Sequence, residues 1–271
     1  MDQSDSPRDL RLVQITDCHL YADPAGDLMG VNTQETLEGV LAAAFSPTWP
    51  QADALVATGD LVHDCSVEGY RTLGRLLRGR ARKVAVLPGN HDAPEAMAQV
   101  LPPLGVQVGG DLRLGNWRLV MLDGHLPGSD GGRLSQDELD RLDELLANGG
   151  EGEHLLIFVH HPPVAIGSTW LDRIALENGD ALLDRVRRHA SIKGIVCGHV
   201  HQEWQQQLGQ AQLLTTPSTC IQFEPRQGRF RLAQDPPGWR EFELHPDGRF
   251  SSRVLTLSQK PDGLLMQSHG Y

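Results

Sequence analysis

LRLVQITDCHL, residues 10–20, decides the fold. The stretch Leu10 to Thr16 reads as a buried β-strand, and its apolar run stops where Asp17, Cys18 and His19 begin. The same grammar recurs downstream: ALVATGDLVHD (54–64), VAVLPGNHD (84–92), LLIFVHHPP (155–163) and IKGIVCGHVH (192–201) each run apolar and then break into Gly, Pro, Asp, Asn or His. Their strands are Ala54 to Thr58, Val84 to Leu87, Leu155 to Val159 and Ile192 to Cys197. A further strand is expected over Arg118 to Leu122.

Amphipathic helices fall between these runs. Asn32 to Ala44 has Asn32 as N-cap with Glu35 three residues on, and a second helix covers roughly Val67 to Leu77. Ser135 to Ala147 opens on a Ser135/Glu138 capping box, and Gly179 to Arg188 follows. From Leu213 on the pattern is β-rich, with Trp239 to Leu244 and Phe250 to Leu257 alternating around Pro246-Asp247-Gly248. Strands alternating with helices signal an α/β fold. No repeat or long linker divides the chain, so residues 1–271 read as one domain with a core of about 10–257 and a loose tail of about 258–271.

Lys+Arg number 24 against 35 Asp+Glu, a formal charge of -11 that argues against binding a nucleic-acid backbone. A small anion remains an acceptable substrate, because bound cations add local positive charge. No apolar run is long enough to span a bilayer, and MDQSDSPRDL lacks the apolar core of a signal peptide. The expected location is cytoplasmic. The cysteines Cys18, Cys65, Cys197 and Cys220 form no C-x-x-C pair and read as reduced thiols. Cys18 and Cys197 adjoin metal-type residues, and buried filler is the preferred reading over extra ligands.

Five strand ends each deliver an Asp, Asn or His: Asp17 and His19; Asp60; Asn90, with His91 and Asp92; His160 and His161; His199 and His201. Strand C-termini are where α/β sheets place their sites. Two metals close together need a bridging ligand, and a carboxylate has two oxygens for it. Imidazole mixed with carboxylate suits Fe, Mn, Zn or Co better than Mg or Ca. Gly59, Gly89 and Gly198 precede ligands and are expected to let the backbone turn sharply. Each motif alone has a plain reading as a turn or helix cap; the ordered set is what carries the inference.

That ordered set, D-x-H, G-D, G-N-H-D, H and G-H-x-H from about Leu12 to His201, resembles the calcineurin-like metallophosphoesterase superfamily. The resemblance implies a four-layer α/β sandwich of two mixed β-sheets flanked by helices. It implies one metal held by Asp17, His19, Asp60 and His201, and another by Asp60, Asn90, His160 and His199, with Asp60 bridging. The expected cofactors are two divalent or trivalent ions, Fe and/or Mn first, Zn or Co as alternatives. His91 resembles the family's non-ligand catalytic histidine. His19, Asp60, Asn90, His91 and His201 are expected to face the substrate phosphate.

VQITDCHL, LMGVNT, CGHVHQE, TTPSTCIQF, PPGWREFELHPDG and the ending HGY are similar, more narrowly, to the bacterial 3′,5′-cyclic-AMP phosphodiesterases of that superfamily. TWLDRIALENGDALL also resembles the related glycerophosphodiesterases. The implied reaction is hydrolysis of cyclic AMP to 5′-AMP by water activated between the metals, with a broader diesterase as the alternative and a non-catalytic metal-binding scaffold as the remaining one. The expected partner is a small cyclic nucleotide, with oligomeric state open. Segments near Asn32, Trp170 and Cys220–Phe223 are the candidates for contacting the nucleoside. Asp92 or Asp64 is a candidate to orient a histidine, and His161 a candidate to support the centre. His63 receives no ligand role. His125, His154, His189, His245 and His269 read as surface or structural residues.

Overall fold

The computed structural model describes residues 8–267 and 270; His269, read above as a surface or structural residue, lies outside them. In chain order the strands are β1 (Leu10–Ile15), β2 (Asp27–Leu28), β3 (Val31–Asn32), β4 (Ala52–Thr58), β5 (Ala81–Leu87), β6 (Gln107–Val108), β7 (Gly110–Leu114) and β8 (Trp117–Met121). Then follow β9 (His154–Phe158), β10 (Ile192–Cys197), β11 (Trp204–Leu208), β12 (Ala211–Thr215), β13 (Gln222–Phe223), β14 (Leu232–Ala233), β15 (Gly238–Leu244) and β16 (Phe250–Thr256). The helices are α1 (Thr33–Ala44), α2 (Val67–Leu77), α3 (Pro94–Val100), α4 (Gln136–Ala147), α5 (Thr169–Asp172) and α6 (Gly179–Arg188).

Two six-stranded sheets form, ordered β16-β15-β1-β4-β5-β6 and β11-β12-β10-β9-β8-β7. Both are mixed. In the first, β1, β4, β5 and β6 run parallel, and β15 pairs antiparallel with both β1 and the edge strand β16. In the second, β12, β10, β9 and β8 run parallel, with β11 and β7 antiparallel at the edges.

The period-2 alternation of side chains decides the layers. Leu12, Val56 and Ala85 of the first sheet share one buried cluster with Phe158, Val196 and Leu214 of the second, so this is the seam between sheets. Their neighbours Val13, Leu55 and Val84 pack instead with Leu37, Leu41, Tyr70, Leu73 and Met97 from α1, α2 and α3. On the far side, Leu155, Ile157 and Ile195 pack with Leu139, Leu142, Leu182 and Val186 from α4 and α6. Strands buried on both faces must read apolar throughout, as the sequence does. The result is the four-layer sandwich that the resemblance implies.

Local chemistry sets the helix ends. The Asn32 side chain accepts the Glu35 N–H and the Ser66 side chain accepts the Gly69 N–H, capping α1 and α2. Ser135 likewise caps α4 by accepting the Glu138 N–H at 3.1 Å. The expected capping box closes on one side only, because the Glu138 carboxylate turns to the Asp123 N–H and to Arg141. Strand β11, WQQQL, escaped the sequence reading because it is a polar, largely exposed edge with no apolar alternation. Beyond β16 the chain returns to the hairpin of β2 and β3, where the Leu265 N–H donates to the Met29 carbonyl at 2.9 Å. Among the described residues no helix is long and apolar enough to cross a membrane.

Candidate metal centre

The parallel strands of both sheets aim their C-terminal ends at one place. Asp17 and His19 leave β1, Asp60 leaves β4, Asn90 leaves β5, His160 leaves β9, and His199 and His201 leave β10. The loops are stitched to each other within each sheet and across the seam. Asp17 N–H donates to the Gly59 carbonyl (3.0 Å), His19 N–H to the Asp60 carbonyl (2.9 Å), and Gly198 N–H to the His160 carbonyl (3.0 Å). The Asp17 carboxylate accepts the His199 N–H with both oxygens at 3.1 Å.

Backbone strain concentrates here. Asp17, His19, Asp60, His199 and His201 all hold left-handed φ, between +46° and +67°, and only three other non-glycine residues do so among those described. Each such residue costs on the order of 1 kcal/mol or more, so the surrounding loops must enforce it. The glycines act in two ways. Gly59 has φ +93° and is the turn residue expected. Gly89 and Gly198 are absent from the positive-φ set, which corrects the turn argument for them. A Cβ at Gly89 would collide with Asp60, and one at Gly198 with Thr16 and Asp17; they are small so that ligand-bearing loops can touch.

His160 donates from Nδ1 to the Thr58 carbonyl at 2.7 Å, and His201 from Nδ1 to the Ile221 carbonyl at 2.7 Å. Both therefore present Nε2 to the centre. His160 Nε2 lies 3.3 Å from Asp60 Oδ2 and 3.9 Å from Asp17 Oδ1. His201 Nε2 lies 3.3 Å from Asp17 Oδ1, and His19 Nε2 3.8 Å from Asp60 Oδ2. Asp60 Oδ2 thus stands between His19 on one side and His160 on the other. Asp17, His19 and His201 form one group with metal-ligating spacing; Asp17, Asp60 and His160 form a second, and His160, His161 and His199 a third.

The decisive feature is unsatisfied chemistry. Asp60 Oδ2, Asn90 Oδ1, His160 Nε2 and both ring nitrogens of His199 are buried with no hydrogen-bond partner. Buried polar atoms are otherwise almost always paired. These are all cation-ligating atoms converging from separate loops, and the donor set fits two borderline metal ions. The electrostatics agree. Burial opposes the Asp60 charge, yet His160 outweighs it and holds the carboxyl well below its ordinary range. Burial pushes His19 and His199 well below the usual imidazole value, keeping them neutral and able to ligate. Burial alone would lower His160 as well, but Asp60 and then Asp17 raise it to about 9, so this pocket favours positive charge.

Neighbouring residues sort by what they touch. His91 is half-buried; its N–H donates to Asp60 Oδ1 at 2.9 Å, and its ring centroid lies 5.3 Å from that of His19. His91 belongs to none of the ligand groups. His63, given no role above, shares a 3.1 Å hydrogen bond with His19 through their Nδ1 atoms and stacks on His91 at 4.7 Å. Neither Asp92 nor Asp64 orients a histidine, which corrects that expectation. The buried Asp92 carboxylate accepts from Leu61 N–H, Val62 N–H, Gly89 N–H and the Tyr70 hydroxyl, tying two ligand loops together. Asp64 accepts from Ala22 N–H and from Ser66, the cap of α2.

His125 is more than a surface residue, since its Nδ1 donates to the Gly89 carbonyl at 2.9 Å and steadies the Asn90 loop. The signal was present: it follows the end of β8, in the same position relative to a strand as the ligands. Cys18 and Cys197 are fully buried, burial raises both thiols, and neither joins a ligand group.

The three candidate nucleoside segments converge beside the centre. Leu28 and Val31, Ile166 and Leu171, and Cys220, Ile221 and Phe223 form one cluster, with Trp170 and Phe230 packed on it. Phe223 stacks on His201 at 4.1 Å with a 10° interplanar angle, and Trp170 meets Phe223 edge-on at 5.2 Å. Asn32 is committed to the fold, capping α1 and donating to the Pro24 carbonyl, and so is a poor probe of substrate binding.

The calcineurin-like phosphoesterase family model matches residues 10–203. The chain is 38% identical over 248 residues to a 3′,5′-cyclic adenosine monophosphate phosphodiesterase, CpdA, of Pseudomonas aeruginosa, covering 90% of this chain and 88% of that protein. It is 37% identical over 266 residues to the CpdA of Escherichia coli K12, covering 97% and 95% respectively. A dimetal phosphatase of Danio rerio has the same fold, with TM-score 0.64 at 19% identity, covering 93% of this chain and 100% of that one. A ligand-bearing strand-end architecture, a family match across most of the chain and relatives alike over nearly their full lengths lead to one statement: the chain belongs to the calcineurin-like phosphoesterase family.

Proposed function

We propose that this chain hydrolyses 3′,5′-cyclic AMP to 5′-AMP in the cytoplasm, using two metal ions at the strand-end centre. The carrying observation is the set of buried, unpaired ligand atoms: Asp60 Oδ2, Asn90 Oδ1, His160 Nε2 and the nitrogens of His199. One ion is assigned to Asp17, His19, Asp60 and His201, the other to Asp60, Asn90, His160 and His199. Fe and/or Mn suit the mixed donor set, with Zn or Co as alternatives. Two such cations, when bound, supply water activated at neutral pH and draw charge from the phosphoryl oxygens.

The chain's own residues do the rest. The carbonyl contacts of Thr58 and Ile221 fix which nitrogen His160 and His201 present, so the centre is organised before substrate arrives. His19, Asp60, Asn90, His91 and His201 face the phosphodiester. His91, half-buried beside His19 and outside the ligand groups, donates a proton to the departing 3′ oxygen. The similarity to the CpdA proteins supports a cyclic nucleotide over other diesters. Steady-state comparison of cyclic AMP, cyclic GMP, glycerophosphodiesters and bis(p-nitrophenyl) phosphate on metal-replete protein is the test. Turnover of glycerophosphodiesters without turnover of cyclic AMP overturns the substrate and leaves the family intact.

The aromatic cluster supplies a sharper readout. Trp170→Ala removes a ring that the simple aryl diester does not need. The expected loss of kcat/KM is about tenfold larger for cyclic AMP, the usual worth of one base–aromatic contact. Equal losses on both substrates would assign Trp170 to packing alone.

A further inference from the structure

His160 and His201 give their Nδ1–H groups to the backbone carbonyls of Thr58 and Ile221, which fixes the nitrogen each offers the centre. His19 is fully buried and points Nε2 at the centre, 3.8 Å from Asp60 Oδ2. Its Nδ1 meets a side chain instead, the Nδ1 of His63 at 3.1 Å. The two ring centroids stand 5.2 Å apart with 62° between the planes, the separation of imidazoles joined edge to edge through their nitrogens. A hydrogen bond between two ring nitrogens has one donor and one acceptor. When His19 Nε2 gives its lone pair to a cation, the proton of that ring is on Nδ1, so His19 donates and His63 accepts.

The backbone holds His63 where this bond requires it. Leu20 N–H donates to the Leu61 carbonyl at 3.0 Å and His63 N–H to the Leu20 carbonyl at 2.8 Å, with a parallel bridge between Leu20 and Val62. Asp64 ties the same two loops by accepting the Ala22 N–H at 2.8 Å. The half-buried His63 ring packs against Tyr21 at 5.2 Å. It also lies nearly parallel to His91, with centroids 4.7 Å apart and 21° between the planes. His63 joins no ligand group.

A ring that only filled the space between Tyr21 and His91 would need no acceptor. We infer that His63 is a positioning residue: it accepts the Nδ1–H of His19, holding Nε2 toward the cation shared with Asp17, Asp60 and His201, and its ring face sets the plane of His91. A single side chain thus aligns a metal ligand from the loop after β1 and the proton donor from the loop after β5. This inference rests on the dinuclear reading above and extends it to a residue outside the ligand set.

The test uses substitutions that separate the two contacts. His63→Gln places a side-chain oxygen where Nδ1 accepts and removes the ring. His63→Phe keeps a ring against His91 without an acceptor, and His63→Leu does neither. Metal-free protein is titrated with Co²⁺, and each site's affinity is read by chelator competition and the Co²⁺ absorption spectrum. His63→Phe and His63→Leu should weaken the cation held by His19 and His201 about 10–100-fold and leave the other near wild type, while His63→Gln should restore most of the loss. With metal saturating, His63→Gln should lower kcat roughly 2–10-fold at unchanged KM, the usual worth of one stacked ring pair. Wild-type affinity at both sites in His63→Phe would overturn the hydrogen-bonding role, and wild-type kcat in His63→Gln the stacking role. In wild-type protein labelled with ¹⁵N-histidine and loaded with ¹¹³Cd²⁺, cadmium coupling is expected at His19 Nε2, with the His19 Nδ1 proton coupled across the hydrogen bond to His63 Nδ1. Cadmium coupling at His19 Nδ1 or at His63 overturns the proposal, even if every variant fails to fold. Binding of fewer than two ions by the wild type would instead sink the dinuclear reading itself.

Discussion

Asp60 gives one carboxylate oxygen to the His91 N–H and turns the other toward His19 and His160. Losing it should therefore disturb both metal positions. Asp60→Ala is expected to lose nearly all activity and at least one equivalent of metal by elemental analysis. Two full equivalents in the variant would contradict the bridging assignment. His91 makes the opposite prediction. His91→Ala should keep wild-type metal content while kcat falls by roughly 10²–10⁴, the usual worth of a positioned acid–base group. An emptied centre would move His91 into the ligand set. At this scale the candidate ligands were legible because their types are chemically restrictive and each follows an apolar strand. The supporting contacts of His63, His125 and Asp92 were hidden, because each reaches a partner on another loop.

Between elements, Asp92 connects the loop after β4 to the loop after β5 and to α2. Its carboxylate accepts from Leu61, Val62, Gly89 and Tyr70, all in the buried interior. Asp92→Asn places an amide NH₂ against backbone N–H groups and leaves at least one of them without an acceptor. The expected cost is about 2–3 kcal/mol, read as a lower urea midpoint with unchanged slope. A wild-type midpoint would show that the loops hold without this tie. The helices α2 and α6 were readable to their ends from their apolar stripes, although only α2 carries a side-chain cap, at Ser66. Strand β11 and the short β6 were not, because edge and two-residue strands take their partners from distant parts of the chain.

At the scale of the molecule, β1, β4 and β5 of one sheet and β9 and β10 of the other supply one centre. Cations bound there would join the sheets as well as serve chemistry. An ion at 100 times its Kd adds about 2.7 kcal/mol to stability, so stripping two with chelator should lower Tm by about 10 °C or more. Equal Tm values for loaded and stripped protein, with binding verified, would show that the seam alone fixes the geometry. The sequence by itself determined the α/β class and the strand ends that bear the candidate ligands, and its family resemblance picked Asp17, His19, Asp60, Asn90, His160, His199 and His201 out of them. Those are local properties: apolar runs must be buried, and polar residues at their ends must lie on loops. Only the tertiary structure decided that five of these residues sit in left-handed backbone, that Gly89 and Gly198 serve close approach, and that His161 lies against His199. Contacts between loops far apart in the chain depend on how two twisted sheets pack, and no local pattern of residues encodes that packing.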